Sequence, residues 1–391
     1  MARQENAAPR ASGDDSPGAF HPSQAFTLGA ELELMVLDGT TGQLASESPA
    51  LLNALKGRAF AASIKAEITQ SMIEVNSGVH SSADSLEAEL REICGSLRDA
   101  AAGRGLALSG GGAHPFRDWP QREIYPDQRF DRLQESYGYL VKQFTVFGLH
   151  VHVGVTSADD AIYLTHVFNC FVPHFTALTA SSPFQRGVDT GFQSSRVNVI
   201  SMFPLSGQLP DVREWREFEA YFARMRRTGL VRTMKDFYWD ARPKPEFGTV
   251  ELRACDMPLT ITHAADLTAL CQAIARCYLD RRPRLNTALQ HEVGVVNRFL
   301  AAKSAWDATI LDVGSDCPAS LAESAASLID RCMPYCADHA ATGRLQRLQR
   351  RIAARSTDAD WIRDVMGRNC DWARLLMAQS ARLAAPGEAD G

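Results

Sequence analysis

The sequence predicts an α+β protein: a curved, mainly antiparallel β-sheet with a metal-binding concave face, surrounded by helices. Three observations carry this. First, three segments alternate apolar and ligand-type residues with the period of two that marks a strand. They place Glu31 and Glu33 on one face of FTLGAELELMVLD (26–38), His150 and His152 on one face of GLHVHVGV (148–155), and Glu251 and Arg253 on one face of GTVELRACD (248–256). Second, the strands interleave with helix-period segments but lack the regular spacing of βαβ units. Third, from about residue 284 onward the pattern is almost entirely helical and rich in Ala, Arg and Leu.

Taken in order, residues 1–22 are polar and rich in Ala, Ser, Gly and Pro, which predicts a disordered lead-in with no secretory signal. A single domain is expected over 23–385, with a helical C-terminal part. After the first strand, EITQSMIEVNSGVH (67–80) gives a weaker strand–turn signal carrying Glu67 and Glu74. Residues 84–102 form an amphipathic helix with the stripe Leu86, Leu90, Ile93, Leu97; Asp84 is its expected N-cap, Glu87 a capping-box-like partner, and Gly103 its stop. ALSGGGAHPF (107–116) reads as a short strand running into a glycine loop. Helical patterns follow at about 128–146, 159–180, 212–228 and 264–282, the second kinked at Pro173.

The chain has 391 residues, 45% hydrophobic and 22% charged, enough for a sizeable core and against disorder. A formal net charge of −5 gives no electrostatic case for nucleic acid or an anionic membrane. No apolar run reaches the ~18–20 residues of a membrane helix. Nine cysteines without a CxxC pair fit reduced thiols and a cytoplasmic location; Cys332 and Cys336, one helical turn apart, read as packing residues.

The chemistry lies in the shared faces. An ionised carboxylate turned toward a core costs several kcal/mol unless it is paired or metal-bound. The bland alternatives are solvated faces, as antiparallel sheets allow, and core histidines with ordinary partners. Three strands carrying the same kind of face favour a metal site. Many carboxylates with few imidazoles favour Mg²⁺ or Mn²⁺ over zinc. An acidic, metal-rich face with a few arginines suits phosphoryl transfer. No Walker A motif is present; GGG at 110–112 reads as a plain turn, and His114 beside it as structural.

Together and in order, FTLGAELELMVLD, EITQSMIEVNSG, GGGAHPF, GYLVKQFTVFGLHVHVGV, ASSPFQRGVDTGFQSSRVNV and DFYWDARPKPEFGTVELRACDMPLT resemble the YbdK group of bacterial carboxylate–amine ligases. These are type 2 glutamate–cysteine ligase-like proteins with a glutamine synthetase-like fold. The resemblance implies an ATP-dependent ligase joining L-glutamate to L-cysteine through an acyl phosphate, with ATP as substrate and two or more Mg²⁺ or Mn²⁺ ions. It implies that Glu33, Glu67 and Glu74 hold the metal nearest the amino acid, and that Glu31, His150 and Glu251 hold the metal on the ATP phosphates. His152 matches a residue on ATP phosphate, Arg253 the arginine that meets the transferred phosphoryl group, and Arg196 a residue for the substrate carboxylate. Partners are expected to be small molecules, with self-association into a homodimer.

Two departures stand out. Leu32 separates the two acidic residues where many relatives have three in a row, and alternation turns it to the core. Phe299 and Lys303 stand in VNRFLAAKSAWD where relatives carry tryptophan and a second arginine, leaving Asn297 and Arg298 as weaker site candidates. Two rival readings stay open: a non-catalytic nucleotide- or amino-acid-binding relative, and a metal-dependent amidohydrolase, in which HxH opens a barrel of βα units.

Overall fold

The computed structural model describes residues 16–368 and 371–385. Seven strands make its main sheet: β1 (Leu28–Asp38), β2 (Ile64–Ala66), β3 (Met72–Asn76), β4 (Leu106–Ser109), β5 (Gly148–Gly154), β6 (Ala241–Lys244) and β7 (Thr249–Asp256). Their order is β6-β7-β5-β1-β3-β2, with β4 also paired to β1, and every ladder is antiparallel. A barrel of parallel βα units, and with it the amidohydrolase reading, is excluded.

Strand alternation divides the sheet into two chemically different faces. Leu28, Ala30, Leu32 and Leu34 of β1, Leu149, Val151 and Val153 of β5, and Val250 and Leu252 of β7 are buried on the back. There they meet α4 (Ala158–Thr179) and α6 (Ile261–Arg281). Removing each such side chain from water stabilises the fold by about 1.5–3 kcal/mol. The front face carries the glutamates and histidines.

The other principal helices are α1 (Ser48–Leu55), α2 (Ala83–Ala102), α3 (Gln128–Tyr137), α5 (Trp215–Arg226), α7 (Thr287–Ser304), α8 (Leu321–Cys332), α9 (His339–Ala353), α10 (Asp358–Gly367) and α11 (Trp372–Ala384). One hydrophobic cluster runs from Leu28 on β1 to Leu383 on α11. No helix among the described residues is long and apolar enough to cross a membrane.

Several local expectations need correction. The N-cap of α2 is Ser82, whose hydroxyl accepts from the Ser85 N–H; Asp84 lies in the first turn instead. Asp84 and Glu87 serve a tertiary role, binding the buried Arg344 of α9 at 2.5 and 2.7 Å, while Asp266 of α6 meets the same guanidinium at 3.0 Å. The tail is not all helix: a hairpin of β8 (Thr309–Asp312) and β9 (Cys317–Ser320) interrupts it, closed by Asp312, whose Oδ1 accepts from the Gly314 and Ser315 N–H groups.

Of the lead-in, residues 1–15 lie outside the described residues. From residue 16 the chain packs along the protein: Phe20 sets its ring edge-on to Trp215, and the His21 N–H donates to the Pro245 carbonyl. The eight described cysteines are free, with Cys332 in the core and Cys336 packed against it; Cys370 lies outside the described residues.

Candidate active site

Register alone brings the predicted residues together. Antiparallel pairing sets Glu31 opposite His150, Glu33 opposite Glu74, and His152 opposite both Gly29 and Glu251. The side chains of Glu31, Glu33, Glu74, His150 and Glu251 share the front face and line a basin of about 280 Å³, with Glu67 joining from the loop between β2 and β3 and His152 on the adjoining cavity. Three sets converge within ligating distance: Glu33 with Glu67 and Glu74, Glu31 with Glu74 and His150, and Glu31 with His152 and Glu251. The first is the set expected from the sequence. The second expected set is divided: Glu251 groups with His152, while His150 groups with Glu74, and Glu31 is common to both.

The electrostatics are those of a face short of positive charge. Burial pushes the Glu33, Glu67 and Glu74 carboxyls above their ordinary range, and neighbouring carboxylates add to it, Glu33 acting on Glu67 and Glu31 on Glu74. Glu31 is also desolvated, but the hydrogen bond from His150 and the nearness of the His152 imidazole hold it well below the usual range. Burial, reinforced by the Arg253 charge, lowers His150 to about 4, so its imidazole is neutral and free to ligate.

Nε2 of His150 and Nε2 of His152 are buried without a hydrogen-bond partner. The first faces Glu33 Oε1 at 3.6 Å and the second faces Glu31 Oε1 at 3.3 Å. Crowded carboxylates beside unpartnered imidazole nitrogens are the donor set of a hard divalent cation, and these residues fit Mg²⁺ or Mn²⁺.

The cationic wall was less visible in the sequence. A β-bulge between Leu252 and Cys255 re-aims Arg253, so that its Nη1 reaches Glu251 and comes within 3.3 Å of His150 Nδ1. Arg242, which sequence reasoning missed, clamps Glu251 from the other side, Nε to Oε2 at 2.7 Å and Nη2 to Oε1 at 3.3 Å. The charges of Arg242 and Arg253 outweigh the burial of Glu251 and hold its carboxyl well below the ordinary range. Lys65, Arg129, Lys235 and Lys244 complete the wall.

Arg196 is buried beside Glu33 and Arg253, lining a recess of about 10 Å³ that shares both of those residues with the basin. Both its terminal nitrogens lie 3.4 Å from the Arg253 carbonyl, and its Nε has no partner. A Cβ at Gly148 would sit 2.3 Å from Arg196 Nη2, so only glycine admits the guanidinium here. The same Gly148 donates its N–H to Glu33 Oε2 at 2.5 Å. Asp256 holds the Arg196 segment in place by accepting from the Ser182 and Ser194 hydroxyls, both at 2.7 Å.

Other candidates are structural. Arg298 is spent on both oxygens of Asp240, at 2.9 and 2.8 Å, and Asn297 exchanges two hydrogen bonds with the Leu311 backbone. Lys303 donates to the Gly191 carbonyl and lies over the Phe192 ring, which Phe299 meets edge-on. His114 is buried, with Nε2 bound to the Gly42 carbonyl and Nδ1 accepting from the Arg117 N–H.

The comparisons with known proteins agree with this geometry. Residues 27–381 match the model of the glutamate–cysteine ligase family 2. A relative from Dechloromonas aromatica, named "Putative glutamate–cysteine ligase 2", is 44% identical over 346 residues, covering 88% of this chain and 90% of its own. One of the same name from Ralstonia pickettii is 44% identical over 344 residues, covering 88% and 91%. Among solved structures, the glutamate–cysteine ligase of Francisella tularensis in complex with AMP superposes with a TM-score of 0.67 at 14% identity, over 94% of this chain and 90% of that one. The bifunctional glutathione synthetase of Pasteurella multocida gives 0.63 at 14% identity, over 92% of this chain and 52% of its own. At those identities the structures speak for the fold, glutamate–cysteine ligase-like, and the family match with the close relatives speaks for kinship: the chain belongs to the glutamate–cysteine ligase family 2.

Proposed function

We propose that this protein is an ATP-dependent carboxylate–amine ligase that activates the side-chain carboxylate of L-glutamate and joins it to an amine, with L-cysteine the acceptor that the relatives' names point to. The observation that carries the reading is the convergence of three ligand sets, one of carboxylates alone and two that add an imidazole, with Arg253 beside them. Mg²⁺ or Mn²⁺ would be held by Glu33, Glu67 and Glu74 at one station and by Glu31 with His150, His152 and Glu251 at the other, supplying charge neutralisation for phosphate oxygens.

The chain's own residues then divide the work. Arg196, with its unpartnered Nε, is suited to a substrate carboxylate. Arg253 stands where charge spreads over the phosphoryl group in flight. His152 stands between the basin floor and a second cavity of about 290 Å³, whose walls include Leu28, Val79 and Phe247, a surface suited to a nucleotide base. In the reaction the carboxylate oxygen bonds to the γ-phosphorus as the bond to ADP breaks. The amine nitrogen, losing a proton, then bonds to the acyl carbon and inorganic phosphate leaves. No covalent bond to the enzyme is needed, and positioning with electrostatics suffices.

The test uses glutamate labelled with ¹⁸O in its side-chain carboxylate, Mg-ATP and a panel of amines. Label transferred to inorganic phosphate, with ADP release that depends on both substrates, is the expected result. Unlabelled phosphate beside labelled amide would mean that the carboxylate never attacked ATP, and the reading would fall.

A further inference from the structure

A cavity of about 580 Å³ neighbours the basin, between α3 and the 229–236 loop. The two adjoin: Arg129, Lys235 and Glu246 line both. Four cations face the cavity, Arg129, Arg132, Arg232 and Lys235, and none has a carboxylate within ion-pair distance among the described residues. Its two carboxylates are already engaged. Asp236 Oδ2 accepts from the Arg232 and Thr233 N–H groups, both at 2.8 Å, and Glu246 Oε1 holds Lys244 at 2.7 Å.

A second, independent feature points the same way. The Tyr137 hydroxyl, on the same lining, is buried without a hydrogen-bond partner. In a chain whose net charge is −5, four unpaired cations around one cavity are a local reversal that like-charge repulsion opposes. A bound anion relieves it.

We propose that this cavity binds the amine co-substrate, and that the co-substrate carries two or more anionic groups, carboxylate or phosphate, besides the amine. The proposal rests on the ligase reading and puts an acidic amine in place of cysteine as its preferred acceptor. Cysteine, with one carboxylate, can satisfy one or two of the cations, whereas an acidic, multiply charged amine uses the set. Its amine end reaches the basin past Arg129 and Lys235, while the nucleotide occupies the opposite side, next to His152. Arg132 and Arg232 line the large cavity without lining the basin, so they recognise the acceptor's far end.

The probe is O-phospho-L-serine, titrated by calorimetry into the full chain with Mg²⁺, against L-serinamide as the control with no anionic group. The phosphoserine should bind at least tenfold tighter than the serinamide, and R132A/R232A should lose at least tenfold of that affinity. In turnover with Mg-ATP and glutamate, acidic amines such as aspartate, glutamate and phosphoserine should exceed cysteine and glycinamide in kcat/KM. The double variant should raise the KM for the acidic amine while leaving the KM for ATP within twofold. Equal binding of serinamide, or an unchanged double variant, overturns the proposal. A rise in the KM for ATP instead overturns it in favour of a nucleotide site. If no amine supports ATP turnover, the ligase reading fails, and the calorimetry still decides whether the cavity takes an anionic amine.

Discussion

Replacing Arg242 with methionine should separate the scaffold of the site from its chemistry. Arg242 and Glu251 are both almost wholly buried, and besides the two-point clamp on Glu251 the guanidinium donates from Nη1 to the Met234 and Phe237 carbonyls at 3.0 and 2.8 Å. Methionine fills comparable volume but leaves Glu251 with Arg253 alone and takes the guanidinium donor from the Met234 and Phe237 carbonyls. Breaking a buried pair from one side costs about 3–5 kcal/mol. An unfolding entropy of about 2.1 cal/mol/K per residue, over 391 residues, converts that cost to a fall in Tm of roughly 4–6 °C.

Because Glu251 would then draw Arg253 closer, kcat should fall as well. Arg242→Lys, which keeps the charge and loses the fork of donors, should lie between wild type and methionine. Calorimetric melts of the two variants, of Glu251→Gln and of the Arg242→Met/Glu251→Gln double variant close a cycle. The double variant should be more stable than the sum of the singles implies, because it removes both charges together. Strict additivity, or a methionine variant melting within 1 °C of wild type on the scale of ~0.8 kcal/mol per degree, refutes the clamp.

Glu33→Gln and Glu251→Gln should each lower turnover by at least ~10²-fold with the fold retained, as circular dichroism and turnover at saturating Mg²⁺ will show. His150→Ala should be partly rescued by excess Mn²⁺, whereas His152→Ala should chiefly raise the KM for ATP; equal rescue by metal titration would remove the division between the imidazoles. The raised carboxyls of Glu33, Glu67 and Glu74 give a signed pH effect. Their contribution to stability is fully present below the unfolded value of ~4.3 and is lost as pH rises through their higher folded values. Without divalent metal, Tm should therefore decline over that window; added Mg²⁺ should offset the loss increasingly with pH, and Glu74→Gln should flatten it. Finally, Arg253→Lys should lower kcat by roughly 10²–10³-fold with little change in either KM, since an interaction made only in the transition state shows in kcat.

The residues of the basin floor were legible because a strand fixes orientation by parity. Once Glu31, His150 and Glu251 are each known to alternate with buried leucines and valines, antiparallel pairing must bring them to one surface. Glu67 was legible only through resemblance, because it leaves the ladder at a loop between two short strands. Arg242 was hidden by Pro243, which marks ARPK as a poor strand; β6 is in fact an edge strand, where proline's missing N–H costs no ladder bond. The hairpin inside the helical tail was hidden for a similar reason, since it is held by Asn297 and Asp312 rather than by a periodic apolar pattern. The misplaced N-cap of α2 shows a competition of roles: Asp84 has a capping side chain, but a guanidinium from 260 residues downstream takes it.

What the sequence could not give is the pairing of charges, and on this the function turns. Parity puts Glu31, Glu33, Glu74 and Glu251 on one face, but it does not say which of them is neutralised from within. The structure gives Glu251 two arginines and Glu31 two imidazoles, and leaves Glu33, Glu67 and Glu74 crowded with no direct salt bridge from an arginine or lysine among the described residues. The carboxylates left least neutralised are those with the strongest demand for a cation, and Arg196 lies beside Glu33, one of them. Glu251 is held ionised by residues of the protein itself, so its station keeps its charge with or without metal. The two stations should therefore differ in metal affinity and in pH dependence: binding at Glu33, Glu67 and Glu74 releases protons and strengthens as pH rises, while binding at Glu31 and Glu251 releases fewer. Mg²⁺ titrations followed by calorimetry in two buffers of different ionisation enthalpy resolve those protons. Equal proton release at both stations would mean that the arginine clamp on Glu251 does not set its charge.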